Sequence, residues 1–338
     1  MTRYLIVRTD RIGDVLLTTP VASALRASDP QAHIAFLVRS YAAPLLQNNP
    51  DIDETIVDAG GPVAPLIQQL KDGRYDVAIV AYPRWRVSWA VWRARIRRRI
   101  GPASKWYSLF FNERLWQHRS EGRRHEADYN LELLKPLGVP VKRVQTRIVL
   151  TEDEKQRAHQ FLESLGVPFQ KPVVILHPGS GNSSARWPLN SFMELGSRLL
   201  EEGYEVVVTG GRGENYQPIM MNQMRRVPVF VPSGGVSLRE LAALLACANL
   251  VVTNSTGPLH IAVGLDVPTV SIYSSIATCH PRRWGPYPAW KEGNERHRVA
   301  LAPDHGFPQE DITQVSVEMV LKMCQERLRQ PFHAGAAN

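Results

Sequence analysis

Short apolar runs alternate with longer amphipathic stretches through the first half of the chain. The first run, at residues 4–7, leads into a turn at residues 9–13 and then into an apolar-periodic stretch at residues 15–25. Further short runs stand at residues 33–38, 54–57 and 75–81. Buried-type strands that alternate with helix-compatible sequence are typical of a parallel sheet with crossover helices.

A helix start signal marks the passage into the second half. Thr151 and Glu154 have the spacing of a capping box, which predicts a helix that ends near Gly166. Prolines follow at Pro168 and Pro172, and they indicate a linker. We therefore place the domain boundary between residues 166 and 167.

The second half repeats the alternation of the first. Helices are predicted at residues 190–203 and after a second capping box, formed by Ser237 and Glu240. The apolar runs between the helices stand at residues 173–176, 204–209, 250–253 and 269–273. The chain is therefore predicted to be an α/β protein with two Rossmann-like domains, each built on a parallel sheet.

The predicted domains have these limits. The first covers residues 1–166 and the second residues 167–315. Residues 316–330 form a final helix with one apolar face.

Composition fits this organisation and narrows the environment. With 338 residues, 44% of them hydrophobic, the chain is long enough for two cores. Its three cysteines are widely separated, which indicates neither a disulfide framework nor a zinc site. Charged residues among the first ten, and the lack of an apolar run of about 18 residues, argue against a signal peptide or a membrane span. We expect a cytoplasmic protein.

Positive charge predicts an anionic partner. The net charge is +8, and residues 84–99 contain seven arginines, three tryptophans and no acid. Nucleic acid, a membrane surface and a phosphorylated substrate all fit this charge, although no recognised nucleic-acid module frames the segment. Trp85, Trp89, Trp92 and Ile96 share one helical stripe, which suits either core packing against the sheet or an aromatic ligand platform.

The first candidate site follows the first strand. Residues 11–14 read Arg-Ile-Gly-Asp, and in open α/β sheets ligands bind outside the carboxyl ends of the strands. Gly13 allows a backbone to approach a ligand closely. Asp14 is either a general base or a first-turn acid that satisfies the start of a helix.

Two loops in the second half suit a phosphate group. Residues 177–188 follow a strand, are rich in small polar residues and place Arg186 as a fixed cation; an ordinary surface loop is the alternative. Residues 254–260 place the hydroxyls of Ser255 and Thr256 at the predicted start of a helix, and the motif ends with His260. A plain helix cap is the alternative, and it explains the hydroxyls but not the histidine. The P-loop and dinucleotide fingerprints are missing, so an NAD-dependent oxidoreductase is disfavoured.

These phrases together resemble glycosyltransferase family 9, the bacterial heptosyltransferases. The ordered set comprises residues 11–20, 125–134, 177–180, 186–188, 209–211 and 254–260. The resemblance implies a GT-B fold with two domains that face a central cleft, the acceptor on the first domain and a nucleotide sugar on the second. It also implies that the final helix crosses back to the first domain.

The resemblance further implies an inverting reaction that needs no metal and no cofactor. Asp14 would be the general base and Arg186 would contact the donor phosphates. The donor would be a nucleotide-diphosphate sugar, with ADP-heptose favoured. The acceptor would be an anionic glycolipid or glycan of the lipopolysaccharide core, reached at the inner membrane surface.

Further site residues are assigned by the same likeness and by charge. The expected acceptor residues are Arg11, Gly13, Arg86 and Arg93. The expected donor residues are Ser180, Arg186, Glu214, Val236, Ser237, Ser255, Thr256, Gly257 and His260.

One departure concerns the donor sugar. Many heptosyltransferases have Asp where this chain has Ser255, so a carboxylate beside the sugar is replaced by a hydroxyl. We expect the sugar hydroxyls to find different partners as a result. Two alternative functions remain. In these alternatives the chain is either a GT-B transferase for another sugar nucleotide or acceptor, or a non-catalytic module that binds a nucleotide sugar or a nucleic acid.

Overall fold

The computed structural model divides the chain into two compact units, residues 1–149 and 150–338. It describes residues 1–181, 185–211, 214, 216, 228–231, 234–288, 295–303 and 311–329.

The first unit is built on a six-stranded parallel sheet with the strand order β3-β2-β1-β4-β5-β6. The strands are β1 Arg3–Val7, β2 His33–Arg39, β3 Glu54–Asp58, β4 Val77–Val80, β5 Arg98–Pro102 and β6 Glu113–Leu115. The helices are α1 Ile12–Leu16, α2 Thr19–Ser28, α3 Ala64–Asp72, α4 Trp85–Arg93 and α5 Glu126–Glu132. The apolar runs at residues 4–7, 33–38 and 75–81 form the buried strands β1, β2 and β4, as predicted, and the run at residues 54–57 forms the edge strand β3.

The stretch predicted as one helix at residues 15–25 is divided into α1 and α2. Pro20 lacks an N–H group and cannot donate to the carbonyl of Leu16 four residues earlier. The hydroxyl of Thr19 donates to that carbonyl instead, at 2.8 Å. The chain therefore restarts its helix at Thr19.

The second unit repeats the same topology. Its sheet has the strand order β12-β11-β10-β7-β8-β9, and all its pairs are parallel. The strands are β7 Val173–His177, β8 Glu205–Val208, β9 Val229–Phe230, β10 Leu250–Asn254, β11 Thr269–Tyr273 and β12 His297–Leu301. The helices include α6 Glu152–Ser164, α7 Leu189–Glu201, α8 Leu238–Ala246, α9 Gly257–Gly264, α10 Pro281–Trp284 and α11 Val317–Leu328.

Both predicted capping boxes are present. The hydroxyls of Thr151 and Ser237 accept from the backbone of Glu154 and Glu240, and each glutamate accepts from the backbone of its partner. These caps set the starts of α6 and α8 as the sequence indicates.

The boundary between the units lies before α6, whereas the sequence placed it after this helix. Arg239 on α8 makes a bidentate ion pair with Glu154 on α6, with N–O distances of 2.7 and 2.8 Å. This largely buried pair joins α6 to the second unit. The prolines at 168 and 172 therefore mark a loop inside that unit.

The final helix α11 also packs in the second unit. Val320, Leu321 and Cys324 are buried in the core cluster that includes strands β7, β8, β10 and β11. Just before the helix, the carbonyl of Val315 accepts from the indole N–H of Trp187 at 2.8 Å. We expected this helix to pack on the first domain, but its apolar face completes the core of the second.

The segment at residues 84–99 is not one helix. Helix α4 ends at Arg93, and Arg95 takes a positive φ of 61° before β5 begins at Arg98. The buried side chains of α4 are Val87, Ser88, Ala90 and Val91. Of the stripe, Ile96 packs in the core, whereas Trp85 and Trp92 are exposed, so core packing does not hold for these two tryptophans.

The strand order places both candidate sites. In the order β3-β2-β1-β4-β5-β6 the direction of chain progression reverses between β1 and β4, and in the second sheet it reverses between β7 and β10. Ligands of such sheets bind outside the carboxyl ends of the strands at this reversal. The loops after β1, β7 and β10 are the ones that the sequence singled out.

No helix among the described residues has the length and hydrophobicity needed to cross a bilayer.

Candidate active site

Asp14 lies on the short helix α1 directly after β1, and the residue is only 8% exposed. Its carboxylate accepts a short hydrogen bond from the guanidinium of Arg8. Arg8 is the residue after β1 and is 2% exposed. The residue that caps α1 is Arg11, and it forms no side-chain cap. Asp14 is therefore held by a buried arginine.

Arg8 also binds two further carboxylates. Its Nε is 2.6 Å from Asp10 Oδ1, and its Nη1 is 3.0 Å from Glu126 Oε1. The same Nη1 donates to the Oδ1 of Asn130 at 3.2 Å. Arg8 thus holds three carboxylates and one amide around a single guanidinium.

Helix α5, near the end of the first unit's sequence, contributes further hydrogen bonds to this network. Arg119 donates to Glu126 Oε1 at 2.7 Å and to Asn130 Oδ1 at 3.2 Å. The amide of Asn130 donates to the carbonyl of Leu17 and the hydroxyl of Thr18, both at 3.0 Å. The α1–α2 turn and α5 are thereby fixed on the same buried network.

Burial and the neighbouring carboxylates raise the pKa of Asp14. Burial raises the pKa of Asp14 to about 7, and Asp10 and Glu126 raise it as well, while Arg8 and Arg11 lower it. Although burial disfavours its charge, the three carboxylates raise the pKa of Arg8. A carboxylate with a pKa near neutral pH is well suited to general-base catalysis.

The sequence alone identified Asp14 but missed its partners Arg8 and Asp10. Both stand between the first strand and the loop, where their charges could have been counted. Glu126 and Asn130 lie in the phrase at residues 125–134, which carried the resemblance but received no role. Their separation from Arg8 by more than a hundred residues hides the contact.

The structure separates the residues assigned to the acceptor. Arg11 is exposed beside Asp14, and Gly13 is buried within α1. Arg86 lies elsewhere and is used internally: its Nη2 contacts Asp58 at 2.9 Å, and its guanidinium also donates to carbonyls of residues 60–62. Arg93 is exposed, with its guanidinium 5.6 Å from the ring centre of Trp89. The acceptor role of these residues stays a prediction.

In the second unit, Asn254 joins the two candidate donor loops. It ends β10, and its side chain is fully buried. Its amide donates to the carbonyl of Pro178 at 2.8 Å, and its Oδ1 accepts from the backbone N–H of Trp187 at 3.0 Å. Asn254 therefore shapes the loop after β7 from the end of β10. Sequence reasoning had assigned no role to this residue.

The loop after β7 brings three predicted donor residues together. The Nε of Arg186 donates to the hydroxyl of Ser180 at 2.7 Å, although residues 182–184 of this loop lie outside the described residues. The carboxylate of Glu214 accepts from the backbone of Gly211 at 2.9 Å. It lies so close to Gly179 that a Cβ atom there would collide with it. Position 179 therefore requires glycine while Glu214 keeps this place.

The other predicted donor residues surround the start of α9. Thr256 precedes this helix and Gly257 begins it, while His260 is buried in its first turn. The first N–H groups of a helix have no acceptor within the helix, and they suit an anion. Ser255 has its hydroxyl hydrogen-bonded to Tyr273, the last residue of β11.

Val236 and Ser237 stand at the start of α8. The backbone N–H of Ser237 donates to Glu240 at 2.6 Å, so the capping box already uses it. A contact of the donor nucleotide with the Ser237 N–H would compete with this cap. Val236 is half-buried just before the cap.

Within the parts of the chain that the structure describes, no three His, Cys, Asp or Glu side chains are grouped so as to hold a metal ion.

Known structures and sequences resemble this chain over nearly its whole length. The crystal structure of a family 9 glycosyl transferase from Veillonella parvula superposes with a TM-score of 0.84 at 26% identity, and each chain is 97% covered. The Escherichia coli ADP-heptose lipopolysaccharide heptosyltransferase II gives a TM-score of 0.81 at 21% identity, with 97% of this chain and 98% of that chain covered. The two sheets and their loops are thus those of a GT-B glycosyltransferase.

The particular family follows from sequence. Residues 63–305 match the model of glycosyltransferase family 9 (heptosyltransferase). A putative glycosyltransferase from Haemophilus influenzae is 32% identical over 300 residues, which cover 85% of this chain and 86% of the relative. The chain belongs to glycosyltransferase family 9.

Proposed function

We propose that this enzyme transfers a heptose from ADP-heptose to a hydroxyl of the lipopolysaccharide core, with inversion at the anomeric carbon and without a metal. The observation that carries the proposal is the buried carboxylate of Asp14 at the strand reversal of the first sheet. Its raised pKa and its fixed position suit a general base. The family and its heptosyltransferase members support the choice of reaction.

The reaction divides between proton removal and charge stabilisation. Ionised Asp14 accepts the proton of the acceptor hydroxyl while the hydroxyl oxygen forms a bond to the anomeric carbon. The bond from that carbon to the diphosphate oxygen breaks, and ADP leaves with the electron pair. Arg186 and the first turn of α9 stabilise the charge that develops on the diphosphate.

We infer that the donor carries an ADP group. Arg186, Ser180 and the start of α9 supply the cation, hydroxyl and N–H groups that a diphosphate needs. Glu214 supplies a carboxylate that accepts from hydroxyls, which suits the ribose. The similar E. coli enzyme is an ADP-heptose lipopolysaccharide heptosyltransferase, which supports the same choice of nucleotide.

ADP should therefore stabilise the protein in the presence of EDTA. A ligand at 100 times its Kd adds about 2.7 kcal/mol to the unfolding free energy, which a thermal-shift measurement detects. Arg186→Ala should weaken ADP binding by roughly 1.5–3 kcal/mol, the value of a hydrogen bond to a charged group.

Arg198→Ala is the matched control, since Arg198 is on α7 in the same unit and pairs with Glu194 and Glu318. It should leave the ADP affinity unchanged. A protein that responds to none of ADP, UDP and GDP would rule out the proposed donor site.

A different donor sugar is the second candidate, and Ser255 favours it. Where many heptosyltransferases have a carboxylate, this chain has a hydroxyl that bonds to Tyr273. The Tyr273 hydroxyl in turn donates to the carbonyl of Trp284 at 2.7 Å. A panel of ADP-linked sugars, scored by turnover, decides between heptose and another sugar.

For the acceptor, we propose an anionic glycolipid at the inner face of the membrane. Arg11 is exposed next to Asp14, and Arg93 is exposed on α4, so both can meet phosphate groups. Arg86 would first have to leave Asp58 and the carbonyls that it holds. Of the predicted acceptor residues, Arg11 and Arg93 are thus the better placed.

Glu126 should tune Asp14 without touching the substrate. Because its charge adds to the effect of burial in raising the pKa of Asp14, Glu126→Gln should lower that pKa and shift the acid limb of kcat/KM by roughly 1 pH unit toward acid. The base must be ionised, so activity in both enzymes rises with pH through the pKa of Asp14. The pH profile of kcat/KM measures the shift.

Glu132→Gln is the control for this change. Glu132 is on the same helix α5, but it pairs with Lys135 and Arg124, and it is linked to Glu126 indirectly, through Gln117 and Arg119. Its profile should keep the wild-type midpoint. An unchanged midpoint in Glu126→Gln as well would mean that Glu126 has only a structural role.

A further inference from the structure

A group of aromatic side chains, together with the exposed Leu109 of the same segment, lies on the surface of the first unit. We call it the aromatic face; its members are Trp89, Trp92, Trp106, Leu109 and Phe110. The ring centres of Trp89, Trp92 and Phe110 are 5.0 to 5.7 Å apart, and Trp106 is 6.5 Å from Phe110. The face joins helix α4 to the 3₁₀ turn Trp106–Phe110.

This face is open to solvent. Trp92 is 40% exposed, Trp106 68% and Leu109 73%. The buried side of α4 is formed by other residues, so the tryptophans are not needed for the core. Large apolar side chains that are clustered and exposed mark a binding surface.

Exposed cations are frequent in the segments that carry the aromatic face. Residues 84–112 contain no acid. Their exposed cations, together with Arg114 on β6, are Arg84, Arg93, Arg95, Arg97, Lys105 and Arg114. No ion pair joins any of them to another described residue. An anionic partner would therefore meet positive charge that no carboxylate among the described residues has neutralised.

Tyr82 lies between the Asp14 network and Arg84, which caps the start of α4. The guanidinium of Arg8, which binds Asp14, lies 5.4 Å from the ring centre of Tyr82, and that of Arg84 lies 5.2 Å from the same ring. Burial and the neighbouring Tyr82 raise the pKa of Tyr107, whose ring is 5.4 Å from that of Trp106. The start of α4, the helix that carries Trp89 and Trp92, thus lies near the network that holds the proposed base.

We propose that the aromatic face docks the enzyme on an anionic lipid bilayer. Tryptophan is favoured at the boundary between headgroups and acyl chains, because its ring is apolar and its N–H is polar. Arginines around it attract anionic headgroups. A second copy of this chain would bring the same cations against each other, which disfavours self-association. This inference rests on the proposed function in one respect, which is that the acceptor is a lipid held in the membrane.

Vesicle co-sedimentation of the full chain tests this proposal without donor or acceptor, so its failure is distinguishable from failure of sugar transfer. The protein should bind vesicles of phosphatidylcholine mixed with phosphatidylglycerol, and not vesicles of phosphatidylcholine alone. Added salt should weaken binding, because it screens the charges. Tryptophan emission should shift to shorter wavelength on binding, as rings leave water.

Two double variants separate the apolar from the charged contribution. Arg93→Gln with Arg97→Gln should weaken binding about fivefold for each cation removed. Trp106→Ser with Leu109→Ser should weaken it by roughly 10-fold to 100-fold for each buried side chain. All of these positions are exposed, so the melting temperature should stay near that of the parent.

The controls change exposed residues of the same unit that do not belong to this face. Lys71→Gln with Lys142→Gln removes the same charge, and Val141→Ser removes an exposed apolar side chain. Both should bind vesicles like the parent. If the lysine pair weakens binding as much as the arginine pair, net charge alone is responsible and the proposal is overturned. A face that binds an oligonucleotide or a second copy, and no vesicle, overturns it too.

Discussion

Asp14→Asn should lower kcat at least about 100-fold while the enzyme keeps its fold and its affinity for ADP. Asparagine has the size of aspartate and can still accept from Arg8, but its amide cannot take a proton from the acceptor hydroxyl. The measurement combines steady-state kinetics with thermal unfolding and an ADP titration. Because burial penalises the charge of Asp14, its loss should cost little stability.

Asp10→Asn is the matched control for this prediction. Asp10 binds the same guanidinium, with contacts of 2.6 and 3.0 Å, so both variants remove one carboxylate from Arg8. If Asp14 is the base, Asp10→Asn should lower kcat by less than about tenfold. Similar losses in both variants would assign the effect to Arg8, and full turnover in Asp14→Asn would place the base elsewhere.

Arg8→Met should lower the unfolding free energy by about 3–5 kcal/mol at pH 8, the cost of leaving a buried charge without its partner. Methionine fills much of the volume of the arginine stem but leaves Asp10, Asp14 and Glu126 without their shared cation. Urea unfolding measures the loss.

The pH dependence of this loss separates electrostatics from packing. Arg8 lowers the pKa of Asp14, so without Arg8 this pKa lies further above its unfolded value and the folded variant binds more protons than the folded parent. Stability of the variant then increases as the pH falls, and the difference from the parent should be smaller at pH 5 than at pH 8. A loss that is equal at both pH values would indicate a packing defect.

Arg143→Met is the control, because it measures the stability lost when a surface ion pair of the same unit is removed. Arg143 is 61% exposed and pairs with Asp128. Its replacement should cost about 0–1 kcal/mol.

Features that depend on near neighbours in the chain were predictable. The capping boxes at Thr151 and Ser237 need only residues three apart, and both are present. Where the predicted extent of a helix was wrong, the cause also lies in the local sequence. Pro20 divides the first predicted helix, and the turn at Arg95 ends α4 before the strand β5.

The positions of the candidate sites also followed from the order of residues. In a parallel α/β sheet, each loop after a strand reaches the same edge, so the loops at residues 11–14, 177–188 and 254–260 were candidates from their position alone. Whether the loops at residues 177–188 and 254–260 meet at the reversal of strand order depends on how the strands pair, and they do meet, because β7 and β10 are neighbours in the second sheet.

The chemistry of those sites, in contrast, depends on long-range packing. Arg8 and Glu126 are 118 positions apart, and their contact exists only once β1 and α5 have packed. The same packing removes Asp14 from water and brings other carboxylates near it, which raises its pKa. Residue type, position and the family resemblance therefore pointed to the carboxylate, whereas its burial and partners, which suit it to the proposed role of base, arise from contacts between distant parts of the chain.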